Sequence, residues 1–241
     1  MARRAWWASG AAVGVAGAIT AAVLTAPGAG EPRAGVDARS AVAPTTAATS
    51  PRPASEPRLD DVAAAPPTSF VMQGPRFRIR AHVCPMPNVR PLDPPGEQHH
   101  TVCWVEKDFG VAPANPSRGT SYLLGHAWAE DPHEVLNPMS ELAMRQVDLT
   151  RPRRSGGVPL YPVTNLDGYT ITLTTANGRL TYRVTRAFAV RKDRAADVRS
   201  VMAESTPDRV VLITCGVRDG VDVDVNVIAY ATLVRAVANP A

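Results

Sequence analysis

From residue 69 to residue 241, apolar and polar side chains alternate in short runs broken by turn residues. Phe77, Ile79, Ala81 and Val83 alternate with Arg78, Arg80 and His82. A period of two predicts a strand with one buried face. "YTITLTT" at 169–175 alternates likewise, Asn177-Gly178 follows as a strong hairpin turn, and "LTYRVTRAFAV" at 180–190 returns. "SYLL" ends at Gly125, "RVVLIT" at 209–214 is a continuous apolar run, and "VDVDVNV" at 221–227 alternates again. Helical spacing is confined to two places. Met139 to Val147 has Ser140 as an expected cap, and Ala195 to Ser205 spaces Val198, Val201 and Met202 along one helix face. Many short strands with one or two short flanking helices predict a mostly-β, closed barrel over 69–241.

The first 68 residues have a different texture. After Arg3 and Arg4 no charged residue occurs until Glu31, and Ala5 to Pro27 is Ala- and Gly-rich. A bilayer-spanning helix needs about 20 apolar residues, so residues 1–27 are expected to act as a membrane anchor or signal sequence. The flanking arginines favour the cytoplasmic side, which puts the remainder outside. Cleavage in "TAPGAG" or after "SAVA" would release it instead. Residues 28–68 are rich in Ala, Pro, Thr and Ser and nearly lack large apolar residues. They are expected to form a disordered stalk, because they bury too little surface to offset ordering entropy.

The net charge of +4 and pI of about 9.2 are mildly basic. They suit a neighbourhood of anionic lipid or wall polymer. No Lys/Arg stripe with interleaved aromatics occurs, so nucleic acid is not an expected partner.

Three cysteines in an exported chain cannot all pair within it. Cys84 and Cys103 flank a Pro-rich loop, and a disulfide there would close roughly 20 residues and stabilise the fold by about 3 kcal/mol. Cys215 is then the odd thiol, at the end of an apolar strand. A strand-end thiol is a buried small hydrophobe or a nucleophile, and the second role needs a histidine within reach. Of His82, His99, His100, His126 and His133, only His126 ends a strand-like run after a glycine. His99, His100 and His133 read as loop residues without metal-site spacing.

"LLGHAW" at 123–128 followed by "VLITC" at 211–215 resembles the sortases, exported cysteine transpeptidases of Gram-positive bacteria. "LDGYTITLTTANGRLTYRV" and "NVIAYATLV" extend the resemblance over about residues 75–237, and among subclasses it is most similar to the actinobacterial class F group. The resemblance implies an eight-stranded β-barrel. It implies cleavage of a C-terminal sorting signal of the Leu-Pro-x-Thr-Gly type through a thioacyl-enzyme, with secreted proteins as donors and a cell-wall precursor amine as acceptor. Cys215 would be the nucleophile and His126 the general acid and base. No metal or organic cofactor is implied.

One position departs from the pattern. Sortases carry an arginine near the start of the last strand, aimed at the oxyanion. The matching stretch "VDVDVNVIAYA" offers Asn226 or Asp224 instead, and the nearest arginine is Arg218. Arg218 is the expected replacement, and Asn226 the alternative oxyanion donor. A catalytically impaired barrel that binds wall polymer or a peptide is the rival reading.

Overall fold

A computed structural model of the chain describes residues 62–88, 94–96, 98–114 and 119–240. The expected anchor at 1–27 and most of the stalk lie outside the described residues.

Ten strands form one sheet. They are β1 (Pro67–Gln73), β2 (Arg78–Met86), β3 (Thr101–Val105), β4 (Thr120–Leu124), β5 (Arg153–Ser155), β6 (Val158–Val163), β7 (Thr170–Thr175), β8 (Gly178–Arg191), β9 (Arg209–Arg218) and β10 (Val221–Ala238). Their order is β10-β9-β4-β3-β2-β1-β7-β8, and β10 pairs back onto β8. Eight strands therefore close on themselves as a barrel, as expected, with no exposed edge inside the ring. Strand β8 is long enough to serve two neighbours along one edge: Arg179–Arg183 pair with β7, and Ala187–Val190 pair with β6.

Two apolar layers hold the wall. The barrel interior gathers Phe70, Met72, Ile79, Leu123, Leu173, Leu212 and Ala229, with Met139 and Met144 from α1 (Asn137–Met144). A second cluster on the other side of the same strands gathers Tyr122, Leu124, Val211, Ile228 and Tyr230 beneath Val198, Val201 and Leu160. Strand β4 is buried at all five positions. A strand covered on both faces reads as a continuous apolar run, which is why "SYLL" lacks alternation. Strand β2, covered on one face, keeps the predicted alternation, with Ile79 and Ala81 buried and Arg78, Arg80 and His82 exposed.

Several local expectations change. Strand β1 begins at Pro67, and Val62 ahead of it is a core residue at 2% exposure. The Asn177 side-chain amide anchors this lead-in by donating to the Ala63 carbonyl at 3.1 Å. The Asn177-Gly178 hairpin forms, but neither residue has a positive φ. Glycine is required at 178 by space, since a Cβ there would lie 2.5 Å from the Val237 carbonyl oxygen. Ser140 does not cap α1. Leu136 holds that place without a side-chain bond, and Ser140 lies inside the helix. The stretch 195–205 is not an α-helix. A 3₁₀ segment, Lys192–Asp197, runs into turns that bury Val198 and Val201.

Candidate active site

Of the two residues singled out as nucleophile and acid/base, His126 lies just past the end of β4 at Leu124, and Cys215 lies within its parallel neighbour β9, before that strand ends at Arg218. Strands β4 and β9 pair from Thr120↔Arg209 to Leu124↔Ile213. Gly125 continues the ladder, its N–H donating to the Ile213 carbonyl at 3.2 Å. Continued past Gly125, the same register brings His126 level with Cys215. Adjacent backbones in a sheet run about 4.8 Å apart, and equivalent positions on parallel neighbours face the same side. Within β9, Ile213 and Cys215 are half-buried, whereas Leu212, Thr214 and Gly216 are buried. The face carrying Cys215 thus opens towards solvent as it leaves the second apolar cluster.

At His126 the chain leaves the sheet. Its N–H donates to Gln98 Oε1 at 3.3 Å, and its carbonyl accepts the Leu136 N–H at 3.1 Å. The preceding Gly125 is needed because a Cβ would meet Leu136 Cδ1 at 2.7 Å, not because of a left-handed turn. The imidazole Nε2 lies 3.1 Å from the Pro94 carbonyl. A carbonyl only accepts, so Nε2 carries the proton in this contact.

Cys215 is braced from the helix side. Ser140 Oγ donates to the Cys215 carbonyl at 2.7 Å and accepts the Val217 N–H at 2.8 Å. Val225 Cγ2 and the Val225 carbonyl oxygen would meet a Cβ at Gly216 at 2.6 and 3.2 Å, so the residue after the thiol must be small.

The oxyanion candidates separate. Asn226 is paired directly with Cys215 in the β9–β10 ladder and is 9% exposed. Residues opposite one another on antiparallel strands share a face. Asp224 and Val225 are extra residues at this point, because the register passes from Val223↔Gly216 to Asn226↔Cys215. Such a bulge re-aims side chains and is frequent beside functional sites. Arg218 is three residues past Cys215, on the opposite face by alternation, and its Nη1 donates to the Val147 carbonyl at 2.9 Å. The geometry therefore brings Asn226, and not Arg218, alongside Cys215. Asp224 is engaged elsewhere, 3.1 Å from Arg191.

The remaining two cysteines form the expected disulfide. Cys84 and Cys103 lie opposite each other on the parallel strands β2 and β3, with Cα atoms 4.5 Å apart. Gln98, 1% exposed, joins this bridge to the histidine. Its Nε2 donates to Cys103 Sγ at 2.9 Å while its Oε1 receives the His126 N–H. Nothing in the sequence marked Gln98 or Ser140 for these roles, since both act across long sequence separations.

Residues 72–234, more than half of the chain, match the sortase domain family model. The chain belongs to the sortase family, a family of cysteine transpeptidases. Among solved structures it is similar to sortase A of Listeria monocytogenes, with 16% identity over 71% of this chain and 90% of that one and a TM-score of 0.43. It is similar to sortase C-1 of Actinomyces oris (14%, 68% and 73%, 0.43) and to sortase E1 of Streptomyces coelicolor (11%, 73% and 91%, 0.42). No curated protein gives a significant match.

Proposed function

We propose that this sortase is an extracytoplasmic enzyme that cleaves a C-terminal sorting signal of the Leu-Pro-x-Thr-Gly type and joins the acyl group to a cell-wall amine. The observation that supports the reading is the β4–β9 register, whose continuation past Leu124↔Ile213 leads to His126 and Cys215. Cys215 attacks the scissile carbonyl as a thiolate, which an adjacent imidazolium favours. His126 protonates the leaving amine and later takes a proton from the incoming one. With Nε2 donating to Pro94, Nδ1 is the nitrogen that handles these protons. Asn226 is favoured over Arg218 as the hydrogen-bond donor to the tetrahedral oxyanion, because it shares the face of Cys215.

The class F assignment rests on the sequence motifs. The extracytoplasmic setting is supported by the disulfide, since such bridges persist in oxidising compartments. Residues 1–27 would anchor the chain to the membrane or direct its export, and 28–61 would be the spacer.

A second reading is favoured by the engagement of Arg218 with the Val147 carbonyl: a barrel with weakened chemistry that retains peptide or wall-polymer binding. Incubating the protein with a Leu-Pro-x-Thr-Gly peptide library and an amine separates the two. A thioacyl adduct on Cys215, absent in Cys215→Ala and His126→Ala, supports the enzyme. A folded protein with a reactive thiol that forms no adduct with any peptide supports the binding module.

A further inference from the structure

The loop that leaves His126 carries a group of side chains that the thiol chemistry does not use. One ring nitrogen of His99 and one carboxylate oxygen each of Asp131 and Glu134 lie within 4.8 Å of one another. His99 precedes β3, whereas Asp131 and Glu134 lie between β4 and α1, so the fold assembles three ligands that the sequence scatters. His99 and His133 lie in loops, as expected, but His99 Nε2 is 2.7 Å from Asp131 Oδ2, and the His133 ring is 5.9 Å from that of His99.

Glu134 supplies the second observation. It is only 5% exposed, its Oε2 accepts the Gln98 N–H at 3.1 Å, and no Lys or Arg pairs with it among the described residues. Buried acidic groups are as a rule paired or coordinate a metal. Asp131 turns its Oδ2 to the same point, 2.7 Å from His99 Nε2, while its Oδ1 accepts the His133 N–H at 3.0 Å.

We propose that His99, Asp131 and Glu134 bind a divalent transition-metal ion of the Zn2+ type. One imidazole and two carboxylates form a borderline donor set. It suits first-row transition ions, whereas Ca2+ and Mg2+ take oxygen ligands. Three protein ligands leave a position for water. On binding, His99 carries its ring proton on Nδ1, the hydrogen bond between Nε2 and Asp131 Oδ2 is given up, and both of those atoms turn their lone pairs to the ion. The ion joins 98–99 to 131–135, a junction already made by the Val135 N–H donating to the Gln98 carbonyl at 2.9 Å. Because Gln98 also receives the His126 N–H, occupancy stiffens the segment from which His126 projects.

The test uses untagged, chelator-treated full-length protein and Zn2+ alone, titrated in competition with a chromogenic chelator. One saturable equivalent is expected. His99→Ala, Asp131→Asn and Glu134→Gln should each weaken it at least tenfold, the last keeping an acceptor for the Gln98 N–H. His82→Ala and His100→Ala should leave it intact. Cys215→Ala should also leave it intact, and loss in that variant would put the ion at the thiol and overturn the assignment. Absence of a saturable equivalent in folded wild-type protein, or unchanged affinity in His99→Ala and Asp131→Asn, would overturn it as well. Displacement of Zn2+ by equimolar Ca2+ would refute the transition-metal class. The readout is binding, so it stands or fails independently of any thioacyl chemistry.

Discussion

Ser140 Oγ bridges two backbone groups on either side of one residue of β9, donating to the Cys215 carbonyl at 2.7 Å and accepting the Val217 N–H at 2.8 Å. The serine is fully buried, so neither bond has water as a ready substitute. Ser140→Ala leaves a buried donor and a buried acceptor unsatisfied, at about 1–3 kcal/mol for such a group. Urea unfolding should show a loss of that order. Alkylation of Cys215 should also change in rate, since the strand end that presents it is released. A stability equal to wild type would mean that water or a neighbour replaces the hydroxyl.

Asn226 and Arg218 make opposite predictions. Removing an oxyanion donor costs about 100- to 1000-fold in rate. Asn226→Ala should therefore slow thioacyl formation by roughly that factor while Cys215 still alkylates. Arg218→Ala should leave thioacyl formation within a few-fold of wild type and act mainly on stability, by freeing the Val147 carbonyl in the segment that follows α1. A large rate loss in Arg218→Ala with Asn226→Ala near wild type would reverse the assignment.

The Cys84–Cys103 bridge closes a separation of 19 residues between parallel strands. In the chain-entropy model a loop of that size is worth about 3 kcal/mol. Reduction should lower the unfolding midpoint by a corresponding amount. It should also loosen Gln98, whose Nε2 rests on Cys103 Sγ. Amide exchange at His126, which donates to the same glutamine, should rise on reduction. Unchanged exchange there would show that Gln98 holds its place without the bridge.

What the sequence disclosed was whatever has a short-range pattern. The alternation in β2, the Asn177-Gly178 hairpin and the odd cysteine were legible because each is written in neighbouring residues. The eight-stranded closure came from the resemblance in motifs at 123–128 and 211–215. The stretch 195–205 misled because Val198, Val201 and Met202 have helical spacing, yet turns bury the two valines and half-bury the methionine in the cluster that holds Tyr122 and Val211, a tertiary effect that spacing does not register. The bulge of Asp224 and Val225, which decides where Asn226 falls, has no local signal either. It exists only in the pairing with β9. His99, Asp131 and Glu134 were scattered for the same reason.

Tyr122 gives the pH prediction. It lies under the segment between β8 and β9, and its hydroxyl donates to the Val201 carbonyl at 2.6 Å. Burial pushes its phenol up from 10.0 to about 12, against an opposing pull from Arg209. The unfolded phenol titrates near 10, so between about pH 10 and 12 the unfolded state ionises while the folded state holds its proton. A raised folded-state value means that this stabilisation is fully present below about pH 10 and is lost as pH rises towards 12. Urea midpoints should fall across that interval. Tyr122→Phe should flatten part of the slope, leaving the contributions of Tyr182 and Tyr230, whose phenols burial also raises. At neutral pH the same variant should cost about 0.5–1.5 kcal/mol for the lost hydrogen bond. An alkaline slope identical in the two proteins would show that Tyr122 ionises without regard to folding, and that Val198 and Val201 do not seal it.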